Sequence, residues 1–74
     1  MLGTKVYYDS FSGVVKGKIV KVEDGEAHIR VTSRNNRVYS NGSIIKVPVT
    51  SSQILPMHLY KIVTHSGIQY FRAK

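Results

Sequence analysis

The sequence predicts an all-β fold, a small barrel of five to six short strands with one 3₁₀ turn and a C-terminal hairpin. Three observations carry this expectation. Apolar and polar residues alternate at period two along most of the chain, and no helical stripe interrupts them. Turn dipeptides of the two-residue hairpin kind, Asp24-Gly25, Asn41-Gly42 and Ser66-Gly67, separate the alternating runs. The longest run, Val14 to Glu23, changes phase in its middle, as a strand does where it bends around a barrel corner.

Lys5-Val6-Tyr7-Tyr8 reads as a first strand, and Asp9-Ser10-Phe11-Ser12-Gly13 as the loop after it. In the second strand Val15, Gly17 and Ile19 share one face, with Lys16 and Lys18 on the other. Beyond Ile19 the apolar pair becomes Val20 and Val22, and the polar pair Lys21 and Glu23. Both halves face a core only if one extra residue is inserted near Ile19-Val20, which is a β-bulge. Gly17 suits the same bend. Asp24-Gly25 supplies a second argument. A type I′ turn there sets Val22 against Ala27 and Val20 against Ile29, and then Lys18 against Val31, a mismatch that the bulge repairs.

Ala27, Ile29 and Val31 alternate with His28, Arg30 and Thr32 in the third strand. Ser33 to Arg37 reads as a polar loop, and Val38-Tyr39 as a short strand joined across Asn41-Gly42 to Ile44–Val49. There Ile45, Val47 and Val49 face inward and Lys46 outward, and Pro48 marks an edge strand or a strand end. Thr50 to Gln53 offer capping residues before Ile54-Leu55-Pro56, which reads as the single 3₁₀ turn. Leu59–Thr64 and Ile68–Arg72 form the last hairpin across Ser66-Gly67, setting Val63 against Tyr70 and Ile62 against Phe71.

Five strands in a meander, one of them bulged, with a 3₁₀ turn before the last, fit a single domain over residues 1–74 with the plan of an SH3-like barrel. The elements Gly17-Lys18-Ile19-Val20-Lys21-Val22, Gly25, Ile29-Arg30-Val31, Val47-Pro48-Val49 and Ile54-Leu55-Pro56 resemble the KOW/Tudor type of that barrel. Val6-Tyr7-Tyr8-Asp9 is similar to the opening of signalling SH3 domains. The chain has no tryptophan, however, so the groove those domains use for Pro-x-x-Pro peptides lacks its central wall. An OB-type barrel needs a helix between its third and fourth strands, and no segment supplies one.

Composition bounds function more than it names it. A chain of 74 residues buries only about 60% of its unfolded surface, and stability on the order of 4–11 kcal/mol is expected. No cysteine is present, so disulfides and thiolate metal sites are excluded, and the expectation is a soluble cytoplasmic protein. Met1 to Lys5 form no apolar run and no run reaches membrane-spanning length, so neither a leader nor a membrane partner is expected.

The carboxylates Glu23, Asp24 and Glu26 crowd one hairpin tip, where water solvates them, so they offer no acid–base pair. No nucleophile elbow and no phosphate-binding glycine loop occur. His28, His58 and His65 lack ligand spacing. The chain is therefore expected to be a binding module, not an enzyme, with no metal and no cofactor.

The partner is suggested by charge. Eleven Lys and Arg against four Asp and Glu give +7 and a pI near 10.0. All four acids lie in the first 26 residues, and from Ala27 to Lys74 none occurs. Such a surface attracts polyanions. The expected nucleic-acid-binding residues are Arg30, Arg34, Arg37, Lys46, Lys16, Lys18 and Tyr39, with Lys21 and His28 on the same outward face. Cations take phosphates, and an exposed Tyr can stack on an unpaired base. Outward lysines also serve solubility and edge protection, and the tyrosines also fill a small barrel's core. The alternative function is a protein-interaction or assembly domain, such as an accessory or structural subunit of a phage-like particle, meeting an acidic protein partner. The nucleic acid expected is DNA or RNA.

Overall fold

The computed structural model describes residues 2–33 and 38–74, and these form seven β-strands and no helix. The strands are β1 (Lys5–Ser10), β2 (Gly13–Glu23), β3 (Glu26–Val31), β4 (Ile44–Pro48), β5 (Ile54–Pro56), β6 (Tyr60–His65) and β7 (Ile68–Ala73). Five make one antiparallel sheet in the order β4-β3-β2-β1-β5, and β6 pairs only with β7.

The β2–β3 hairpin sets the frame. Asp24 and Gly25 have φ of 51° and 75°, the doubly positive geometry of a type I′ turn. Glu23 then faces Glu26 and Val22 faces Ala27, as the turn dictates, but the register shifts between Ile19 and Lys21. Ile19 pairs with Ile29 and Lys21 with His28, so Val20 is the unpaired residue of the expected bulge. Below the bulge Gly17 faces Val31 and Ile19 faces Ile29, and these four residues and Val15 are all buried.

The bulge restores the alternation without burying everything that sequence patterning placed inside. Val20 and Val22 are each 43% exposed. Val20 is lifted out of the ladder, and Val22 lies beyond the core on the arm of the hairpin.

The core is a sheet of small aliphatic side chains: Val6, Val15, Ile19, Ala27, Ile29, Val31, Ile45 and Val47. Tyr8, Tyr39, Val49 and Ile54 pack against it. Gly17 is the tight point. A Cβ at Gly17 would stand 2.5 Å from Ile29 Cγ2 and 2.8 Å from the Arg30 carbonyl oxygen. Any side chain there collides with backbone that cannot rotate away.

Four sequence expectations are corrected. The Asp9–Gly13 loop is only a two-residue turn, because Asp9 and Ser10 stay in β1. The Asp9 amide donates to the Gln53 carbonyl at 2.9 Å, and Ser10 Oγ to the Gly13 carbonyl at 2.5 Å.

Val38-Tyr39 is not a strand, and Asn41-Gly42 is not a type I′ turn. Only Gly42 has positive φ, 88°, and its amide donates to the Val31 carbonyl, so the turn delivers β4 onto β3.

Ile54-Leu55-Pro56 is a strand, not a 3₁₀ turn. It covers the free edge of β1, with Val6 opposite Pro56 and Tyr8 opposite Ile54. Pro48 ends β4, which is an edge strand as its proline requires.

The barrel does not close among the described residues. The three-residue β5 pairs with β1 at the edge of the sheet opposite β4, and the chain leaves it for a separate hairpin.

The last hairpin matches its expected register, with Val63 opposite Tyr70 and Ile62 opposite Phe71. Ser66 and Gly67, with φ of 52° and 79°, give it a type I′ turn. It meets the larger sheet where the rings of Phe71 and Tyr7 lie 5.6 Å apart. The Gly17 contact yields the first prediction. Gly17→Ala should destabilise the protein by about 1–3 kcal/mol. A thermal melt should show the midpoint falling by at least about 4 °C, and an unchanged midpoint would refute the contact.

Candidate nucleic-acid interface

Side chains opposite one another in antiparallel strands share a face, so the register assigns the outer surface of the sheet residue by residue. Arg30, Lys18 and Lys5 stand directly across from one another on β3, β2 and β1, with Ile44 at the β4 end of the row. One row towards the hairpin tip, Lys46, His28 and Lys21 are aligned in the same way. One row the other way, Lys16 lies opposite Tyr7, which lies opposite Leu55. Adjacent strands are about 4.8 Å apart and alternate residues about 6.7 Å apart. Neighbouring cations of this face thus lie within one Debye length of each other.

Lys5, Lys16, Lys18, Lys21, Arg30 and Lys46 are all exposed, whereas His28 and Tyr7 are half-buried. Among the described residues no ion pair engages Lys5, Lys16, Lys18, Arg30 or Lys46. Like charges directly opposite in a sheet repel, so a bound anion relieves a cost that the free protein carries.

Lys21 differs from the rest: its Nζ lies 2.5 Å from Glu23 Oε2. The hydrogen bond to Lys21 and its charge hold the Glu23 carboxyl below its ordinary range, with His28 and Lys46 adding to the effect. The acidic tip of the β2–β3 hairpin thus abuts the cationic rows and neutralises part of one of them.

Of the expected site residues, Lys16, Lys18, Arg30 and Lys46 come together on this face. Arg34 and Arg37 lie outside the described residues. Tyr39 is elsewhere: it packs on the core, edge-on to Tyr8 at 6.2 Å. Burial raises the Tyr8 pKa, and the charge of Tyr39 and a side-chain hydrogen bond with it add to the shift.

The aromatic residue on the cationic face is instead Tyr7. Lys5 was missed by sequence reasoning, although a two-residue turn at Phe11-Ser12 would have set it opposite Lys18. Among the described residues, no cluster of three His, Asp or Glu could hold a metal ion, and no helix is long and apolar enough to cross a membrane.

No family model matches the chain, and no curated protein or solved structure shows significant similarity to it.

The depressed Glu23 carboxyl gives a prediction with a definite sign. A group whose pKa is lower in the folded than in the unfolded state contributes stability above its unfolded pKa. That contribution is lost as pH falls through the folded value. In a carbon-detected NMR titration, Glu23 should titrate below the ordinary Glu value of about 4.3, and Lys21→Ala should move it back up. No upward movement in that variant would remove Lys21 as the cause.

Proposed function

We propose that this chain is a non-enzymatic module that binds nucleic acid with low sequence specificity through the outer face of its larger sheet. The observation that carries the proposal is the in-register row Lys5, Lys18 and Arg30, flanked by Lys16 on one side and by Lys46 and His28 on the other. Cations at that spacing engage successive phosphates, and lysines contact phosphate as point charges without reading bases. The fold assignment that accompanies this function is an open SH3-like barrel of the KOW/Tudor kind. A β1-to-β4 meander, a bulged β2 and a return of β5 to β1 all support it.

The test is fluorescence anisotropy with labelled DNA and RNA oligonucleotides over a salt series. Log affinity should fall linearly with log salt, by about 0.7–0.9 per phosphate neutralised. Lys18→Glu and Arg30→Glu should each weaken binding to every sequence alike and flatten the slope by about 1. Absence of binding at about 50 mM salt overturns the proposal.

One observation favours the second reading, a protein-interaction or assembly domain. On the β6–β7 hairpin, Tyr70 lies opposite Val63 and is 45% exposed, and Ile68 beside them is 68% exposed. Under that reading the sedimentation mass exceeds 8.3 kDa, and Ile68→Ser with Tyr70→Ser restores the monomer.

A further inference from the structure

Between the row of Lys5 and Lys18 and the row of Lys16 runs a groove of about 370 Å³. It crosses the strands from Met57 on one side to Thr32 on the other, with Gly17 between Lys16 and Lys18 at its floor. Its ends are fixed by backbone. The Met57 amide donates to the Lys5 carbonyl, and the Thr32 amide to the Lys16 carbonyl, both at 2.9 Å. The groove contains no carboxylate, and Met57 together with the methylene stems of three lysines gives it an apolar interior beneath a cationic rim.

Deepening the nucleic-acid reading, on which this inference rests, we propose that the groove takes a base of a single-stranded nucleic acid while the surrounding lysines hold its phosphates. Two rows of side chains on one sheet face are about 6.7 Å apart. A stacked base occupies about 3.4 Å, so one base fits edge-on between the rows with van der Waals contact on both sides. Apolar lysine stems and a thioether suit the face of any base, which makes the site tolerant of sequence. The ammonium groups at the rim stand where the adjoining phosphates of the same strand must pass. A paired base is held inside its duplex and cannot enter. Reading a duplex from its major groove requires a projecting helix or two-stranded ribbon, and the arm of the β2–β3 hairpin ends in Glu23, Asp24 and Glu26, which the phosphates of a duplex repel.

The experiment uses the full chain and three fluorescein-labelled probes of roughly 12 nucleotides. They are a deoxythymidine single strand, a duplex of equal length, and a single strand with the same sugar–phosphate backbone but no bases. The normal single strand should bind about tenfold more tightly than either of the others. Met57→Ala should weaken binding of the normal strand and leave the abasic strand unchanged. Equal affinity for normal and abasic strands, or duplex binding as tight as single-strand binding, overturns the groove proposal and leaves phosphate recognition standing. Failure of all three probes to bind at about 50 mM salt overturns the nucleic-acid reading, and this proposal with it. The abasic comparison uses the unmodified protein, so it does not depend on how the Met57 variant folds.

Discussion

The close crossing of Gly17 beneath Ile29 and the Arg30 carbonyl is the constraint from which the remaining geometry follows. It lets β2 and β3 approach with no side chain between them, and it sits three residues before Val20, where their register slips. Below the slip, β2 contributes Val15 and Ile19 to the core. Above it, the strand runs out into a solvent-exposed arm that ends at Asp24-Gly25. A core of eight small aliphatic residues has little volume to spare, and a methyl group placed at its tightest point has nowhere to go.

That same strand organises the surface. Because β2 lies between β1 and β3, the residues that face outward below the slip, Lys16 and Lys18, acquire neighbours from both sides. Lys5 arrives from β1 and Arg30 from β3. The bulge then brings Lys21 round to face His28, whereas an unbroken ladder would have set it one residue out of step. Core and cationic face are therefore two sides of one registration. The acidic residues mark the boundary of that face: Glu23 and Glu26 oppose each other at the far end, and Asp9 lies at the near end opposite Val14.

What could be read from the sequence was what local chemistry decides. Asp24-Gly25 and Ser66-Gly67 fix two registers outright, and a fixed register exposes the Lys18–Val31 mismatch that reveals the bulge. Residues whose state depends on distant pairing were not legible. Ile54-Leu55-Pro56 has no alternation to mark it as a strand; it is one because β1 has an edge to fill. Asn41-Gly42 carries the same dipeptide signal as a true two-residue turn. Its glycine amide instead bonds back to Val31, so the preceding Val38 and Tyr39 never become a strand. For the site, outward-facing Lys16, Lys18, Arg30 and Lys46 followed from period two alone. Lys5 required the length of the first turn, and the position of Tyr39 against Tyr8 required knowing that its segment folds onto the core.

The two prolines of the chain occupy equivalent places: Pro48 closes β4 and Pro56 closes β5, the two outermost strands of the larger sheet. Each removes a backbone donor from a border that would otherwise present a continuous ladder to a newcomer. Lys46, exposed on β4, adds a charge that a second copy of the same strand would have to face at close range. An open sheet that does not hide its borders by closing on itself is thereby made a poor seed for fibrous assembly.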